Sequence, residues 1–139
     1  MGRAAQGPQG VRMGKQETLV GCVAVKSHQD QLVLVSAAGY AKRMAAADLR
    51  VARRGDLGSQ CFHFSQRGDQ LITLLIDRPQ ETLTILTSEE RLALLPVASL
   101  PYLGRTGDSD RAIKLQRGET LTLACYVSPG RGPVDLAET

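Results

Sequence analysis

The 139 residues carry 17 Lys and Arg against 14 Asp and Glu, with 42% hydrophobic and 4% aromatic residues. That is one ordinary domain's worth of chain, too apolar and too near neutrality for a disordered one. No apolar run approaches the roughly 20 residues of a membrane helix, and the first residues lack the apolar core of a signal peptide, so a soluble, cytoplasmic protein without a membrane partner is expected.

Charge is unevenly placed. Residues 1–60 hold nine basic residues against four acidic ones, and the remainder is slightly acidic. A basic half suits a polyanion, although a merely solvated, arginine-rich surface gives the same count. Cys22, Cys61 and Cys125 form no C-x-x-C pair, and an odd number argues against a disulfide framework. Cys22 and Cys125 lie in apolar runs and read as small core hydrophobes. His28 and His63 lack metal-ligand spacing, so no metal is expected.

In chain order the sequence repeats itself every 51 residues. Arg3, Arg54 and Arg105 share a column. Val11, Phe62 and Ile113 share another, as do Met13, Phe64 and Leu115, with Arg12, His63 or Lys114 between them. This alternation predicts a half-buried strand with one outward cation. A polar turn follows in each copy: Gly14-Lys15-Gln16-Glu17, Gln66-Arg67-Gly68-Asp69 and Gln116-Arg117-Gly118-Glu119. A second strand is then predicted at Leu19 to Val25, Leu71 to Ile76 and Leu121 to Val127. Leu32-Val33-Leu34-Val35 matches Leu83-Thr84-Ile85-Leu86, and Ala47 and Leu49 match Ala98 and Leu100. Met44 to Asp48 alone suits a helical turn, and its counterpart Leu95 to Ser99 carries a proline. The tail from Ser128 to Pro133 reads as a loop.

Short β-rich runs at even spacing indicate an all-β repeat architecture, with units at 1–50 and 51–101 and a partial third at 102–139. A unit of about 50 residues with four strands is the size of a propeller blade. Kelch and WD repeats rely on Gly-Gly or Trp signatures that are absent here. Two and a half copies cannot close a ring, so a larger domain or association with another copy is expected to manage the open blade edges.

The stretch Gly2-Arg3-Ala4-Ala5-Gln6-Gly7-Pro8-Gln9-Gly10-Val11-Arg12-Met13, followed by Leu32 to Ser36 and Gly39-Tyr40-Ala41-Lys42-Arg43, resembles a repeat of the C-terminal domain of DNA gyrase A subunits and topoisomerase IV. The second copy keeps the apolar skeleton but has Glu90-Arg91-Leu92-Ala93-Leu94 in place of the Gly-Tyr-Ala-Lys-Arg run. The third keeps Gly104-Arg105 and Ala112-Ile113-Lys114-Leu115. The resemblance implies a propeller-like β-pinwheel whose basic rim binds and bends double-stranded DNA, alongside the A and B subunits of a type IIA topoisomerase. Its chemistry is electrostatic: Arg and Lys neutralise phosphates and release counterions without reading bases. By motif position the implied DNA contacts are Arg3, Arg12, Lys42, Arg43, Arg53, Arg54, Arg105 and Lys114. Arg91 and Arg117 are expected to matter less, being offset by adjacent carboxylates.

The gyrase box Q-R-R-G-G-K-G, associated with chiral wrapping, has Ala52-Arg53-Arg54-Gly55-Asp56-Leu57-Gly58 as its nearest counterpart. Four of seven positions agree, but Leu57 replaces the lysine and Asp56 adds a negative charge. No enzymatic motif is present. In the resembled family the cleaving tyrosine, ATP site and magnesium lie outside this region, so Tyr40, Tyr102 and Tyr126 receive no catalytic role and no cofactor is expected. Five aromatics are too few for single-strand stacking. The alternative reading is a divergent pinwheel fragment that serves as a protein-interaction module without binding DNA.

Overall fold

The computed structural model describes residues 10–27, 29–104 and 109–127. It is all-β. Among the described residues seven strands form: β1 (Gln31–Ser36), β2 (Tyr40–Ala45), β3 (Leu71–Ile76), β4 (Thr82–Thr87), β5 (Leu92–Pro96), β6 (Asp110–Arg111) and β7 (Leu121–Tyr126). Single 3₁₀ turns follow β2 at Ala46–Asp48 and β5 at Val97–Ser99. The hairpin β1–β2 and its 3₁₀ turn thus recur 51 residues later as β4–β5 and theirs, whereas β3 and β7 are 50 apart. The drift arises just before the acidic turns, where Ser65 separates Phe64 from Gln66 but Gln116 follows Leu115 directly.

Each sheet draws strands from more than one copy. One sheet has the order β3-β1-β2-β6 and the other β5-β4-β7. The copies therefore interlock: β3 closes the first hairpin along β1, and β7 closes the second along β4, both antiparallel. Further backbone bonds tie the joints. The Ala37 N–H donates to Gln70 O and the equivalent Ser88 N–H to Thr120 O, both at 2.8 Å. A repeat that borrows a strand from its successor saturates an inner ladder that a lone hairpin would leave bare.

The sheets pack face to face. Val33, Val35 and Ala41 meet Leu83, Ile85, Leu95, Val97, Leu121 and Ala124 in the larger core. The opposite face of the first sheet buries Leu32, Leu34, Met44 and Phe62 in a second cluster. Strand β1 is therefore covered on both sides, which is what an unbroken Leu-Val-Leu-Val run calls for. Strand β4 alternates instead, burying Leu83 and Ile85 while Thr82 is exposed.

Several sequence expectations need correction. Leu19 to Val25 forms no strand, although its equivalents β3 and β7 do. Those two each pair with the hairpin of the copy before them, and β1 is already flanked by β2 and β3. Leu19 is exposed, Gly21 passes close to the Leu74 backbone, and only Val23 packs against the core. Likewise Val11 to Met13, Phe62 to Phe64 and Ile113 to Leu115 are not ladder strands. The first makes only a parallel bridge between Arg12 and Leu57. Cys22 is exposed rather than a core hydrophobe, and Cys61 and Cys125 are half-buried. His28 and the tail from Ser128 onward lie outside the described residues. Among the described residues no helix is long and apolar enough to cross a membrane.

Candidate nucleic-acid interface

The eight cations expected to meet DNA have different fates. Arg3 and Arg105 lie outside the described residues. Arg12, Arg53, Arg54 and Lys114 are exposed or half-exposed. Three of these are brought together by backbone pairing. The Arg12 N–H donates to Asp56 O at 3.0 Å and the Gly55 N–H to Gly10 O at 2.9 Å, so the chain around Arg12 lies along the 53–57 loop. Gly55 has φ of 83°, and the Asp56 carboxylate accepts the Arg53 N–H at 2.9 Å, closing a tight turn. Arg50 joins the cluster, donating to Leu57 O and Ser59 Oγ, both at 2.9 Å, with Asp56 at 3.9 Å. The Asp56 carboxylate meets the Arg53 amide and Arg50 while remaining partly exposed.

Lys42 is a correction to the sequence reading. It is 0% exposed and shares a face of the first sheet with Leu34 and Met44. Its ammonium donates to Gly104 O at 2.9 Å and lies 5.5 Å from the centroid of the Phe62 ring. A sheet buried on both faces leaves no solvent side for the side chain, so its charge is met by a carbonyl and an aromatic face. Reaching a phosphate from there requires opening the core.

Arg43 is also structural. Its guanidinium stacks 5.1 Å from the Tyr102 ring centroid, its Nε donates to Leu100 O at 3.2 Å, and it lies 3.6 Å from Asp77. The Asp77 side chain is almost wholly enclosed, and neither oxygen has a hydrogen-bond partner among the described residues. Burial pushes its carboxyl above the usual value, against the pull of Arg43. Arg43 thus ties the first hairpin to the end of β3 and to the segment after the second 3₁₀ turn.

The matching joint in the second sheet is built from Arg91 and Glu119. The Arg91 guanidinium forms a two-pronged pair with Glu119, its Nε at 2.8 Å, while Thr87 Oγ1 donates at 2.6 Å and the Gln116 N–H at 2.9 Å. Arg91 first, then Thr87 and the Gln116 amide, hold the Glu119 carboxyl down at about 2. Arg91 also donates to Lys114 O at 3.4 Å. Arg91 is offset by a carboxylate, but by Glu119 of the later turn rather than by the adjacent Glu89 and Glu90.

Arg67 and Arg117 behave otherwise. Both are exposed, and neither has an ion pair among the described residues. With Arg111 they border an open groove of about 800 Å³. Sequence reasoning passed over Arg67 and Arg111 and discounted Arg117. The available signal was the identical placement of Arg67 and Arg117 in two repeated turns.

Comparisons with known proteins agree with this architecture. Residues 30–76 match the family model described as DNA gyrase C-terminal domain, beta-propeller. The chain is 31% identical over 124 residues to the A subunit of DNA topoisomerase 4 from Synechocystis sp., covering 85% of this chain and 13% of that protein. It is 30% identical over 135 residues to the DNA gyrase A subunit from Aminobacterium colombiense, covering 97% of this chain and 16% of that one. In fold it is similar to the crystal structure of the C-terminal domain of DNA topoisomerase IV, with a TM-score of 0.73 at 10% identity, over 84% of this chain and 36% of that one. It is also similar to a DNA gyrase A C-terminal domain, with a TM-score of 0.64 at 16% identity, over 73% of this chain and 34% of that one. The chain is a relative of the C-terminal domains of gyrase and topoisomerase IV A subunits and shares their propeller-type β fold. It spans 13% and 16% of the lengths of these two curated relatives.

Proposed function

We propose that the chain is a non-enzymatic module of a type IIA topoisomerase that binds and bends double-stranded DNA through phosphates. The observation that carries this reading is the exposed cluster of Arg12, Arg53 and Arg54, gathered by backbone pairing on a fold shared with topoisomerase subunits. Arg and Lys at such a surface displace condensed counterions, and bending the duplex, at a cost of a few kcal/mol, is offset by added phosphate contacts. Lys114 belongs to the same proposed set, as do Arg3 and Arg105 by their place in the repeat. Lys42 and Arg43 leave it for the structural reasons above. The repeat units are taken as 1–50, 51–101 and 102–139, and the module acts in the cytoplasm without a cofactor.

The test is a gel shift on a duplex of wrapping length across a salt series, beside a DNA-topology assay. Binding that weakens linearly in log salt and ignores base sequence supports the reading. Absence of duplex binding at low salt contradicts it.

One observation favours an added protein partner. Leu92 and Leu94 on the edge strand β5 are each 72% exposed, where the equivalent Ala41 and Arg43 of the first hairpin are covered. That apolar edge fits contact with another blade, supplied by the rest of a topoisomerase chain or by a second copy.

A further inference from the structure

The two polar turns separate their charges in the same way. In each, the fourth residue's N–H donates to the first residue's carbonyl: Asp69 to Gln66 at 3.3 Å and Glu119 to Gln116 at 3.0 Å. Gly68 and Gly118 occupy the third position with φ of 84° and 78°, the left-handed site of a type II turn. The acid then points inward. Asp69 Oδ1 accepts the N–H groups of Ala38 and Gln70 at 2.9 and 2.8 Å, pinning the turn to the first hairpin's tip. Glu119 is consumed by Arg91, Thr87 and the Gln116 amide, pinning its turn to the second hairpin. The arginine at the second position is left at the surface. Adjacency in sequence therefore does not make Asp69 or Glu119 a counter-charge for Arg67 or Arg117.

The first copy keeps the turn at Gly14 to Glu17, with Gln16 in place of the left-handed glycine and with Glu17 exposed rather than turned inward. The Glu17 N–H donates to Gly14 O at 3.2 Å, the Glu17 carboxylate accepts the Gly14 N–H at 3.0 Å, and Lys15 is exposed at the second position. Arg67 and Arg117 face one groove, whose floor includes Ala37, Ile72 and Leu115. Arg111 enters it from β6, its guanidinium stacked 5.2 Å from the Tyr40 ring centroid. Stacking and β pairing to Tyr40 hold Arg111 in place while leaving it exposed.

We propose that the outward cation of each repeat turn contacts DNA phosphate, and that Arg67, Arg111 and Arg117 form a groove seating a stretch of duplex backbone. The inference rests on the duplex-binding reading above and names residues that the motif comparison left out. Charge complementarity selects the occupant: guanidinium groups bind phosphate oxygens in paired hydrogen bonds. An acidic protein patch would offer carboxylates, but a duplex presents a regular line of phosphates to a repeated cation.

The test compares the full chain with Arg67→Gln/Arg117→Gln, and with Arg78→Gln as a single-charge control, since Arg78 pairs with Glu81 at 3.3 Å. Both turn substitutions are exposed and leave the left-handed glycines and inward acids in place, so thermal unfolding should match the parent. The expected result is a salt slope shallower by roughly 2 and duplex binding weakened on the order of tenfold at moderate salt. Arg78→Gln should bind as the parent does. If the parent binds duplex and the double variant keeps its affinity and slope, the groove inference fails while the functional reading stands. If the parent binds no duplex, both fail. If the double variant loses heparin binding but not duplex binding, the groove serves another polyanion and the proposal is overturned.

Discussion

The hairpins β1–β2 and β4–β5 share backbone register, turn and spacing, yet they live in different surroundings. In the first, every residue from Leu32 to Ser36 is buried, and Lys42 and Met44 are fully enclosed. In the second, only one face is covered, and Leu92 and Leu94 stand in solvent. The difference does not come from the hairpins' own hydrogen bonding, which pairs five residue couples in each. It comes from what later chain lays over them. The first hairpin receives β3, β6, Phe62 and the Tyr102 segment, whereas the second receives β7 and the turn before it. In this architecture a residue's role is set by its neighbours in the adjoining copies as much as by its place in the repeat.

Lys42, set against its equivalent Ala93, carries the largest expected loss. Lys42→Ala removes a fully buried aliphatic stem, its bond to Gly104 O and its contact with Phe62, and is expected to cost about 3 kcal/mol in urea unfolding. Ala93→Lys, at a half-buried site on the edge strand that packs against the inter-sheet core, should cost about 1.5 kcal/mol, since the stem is crowded while the ammonium can reach solvent at the sheet edge. Equal losses would erase the distinction.

The hairpin tips give the next largest loss. Gly39 has φ of 93°, and a Cβ there would come within 2.8 Å of Ile113 O. Gly39→Ala should therefore cost about 2 kcal/mol or more, from backbone strain plus displacement of the chain before Leu115. Glu90, at the same place in the second hairpin, already tolerates φ of 58°. Glu90→Gly should stabilise by up to about 1 kcal/mol, read as a raised thermal midpoint.

On the strands, Val33 is matched by Thr84. Val33→Thr puts a hydroxyl into the closed inter-sheet core and should cost about 1.5 kcal/mol. Thr84→Val, half-exposed, should stay within about 0.5 kcal/mol of the parent.

Acid titration should tell the two ionic joints apart by sign. Glu119 has its carboxyl lowered from 4.5 to about 2, so its stabilisation is whole above about 4.5 and fades as pH falls toward 2. Asp77 is raised above 3.8 by burial, so the folded chain takes up its proton more readily and gains stability as pH falls through that raised value. Urea midpoints from pH 7 to pH 2.5 should show Glu119→Gln abolishing part of the acid-side loss. Asp77→Asn should remove an acid-side gain and deepen the net fall. Identical profiles for the two variants would refute the assignment.

Much of the fold was legible because repetition is a strong signal. The 51-residue offset matches Leu32 to Val35 with Leu83 to Leu86, which lie in β1 and β4, and the runs at Leu71 to Ile76 and Leu121 to Val127 give β3 and β7. Strands β2 and β5 and the 3₁₀ turn at Val97–Ser99, behind Pro96, were not foreseen. An offset cannot reveal which copies' strands pair, so the interlock was hidden, and with it the fate of Leu19 to Val25. The proposed interface was half legible. Arg12, Arg53 and Arg54 are exposed as expected. Lys42 and Arg43 misled because a motif position carries no information about burial, and a lysine's type suggests solvent. Arg67 and Arg117 were obscured by the acids beside them, whose inward hydrogen bonds only the folded turn discloses.

The most direct test of the account is arginine modification with phenylglyoxal, mapped by mass spectrometry, on the intact chain with and without duplex DNA. Arg53, Arg54, Arg67, Arg111 and Arg117 should react freely alone and be protected by duplex, the protection fading as salt is raised. Arg43, held by Tyr102, Leu100 and Asp77, should react poorly in both states. Ready modification of Arg43 in the free chain and its protection by DNA, with Arg67 and Arg117 unaffected, would contradict the account.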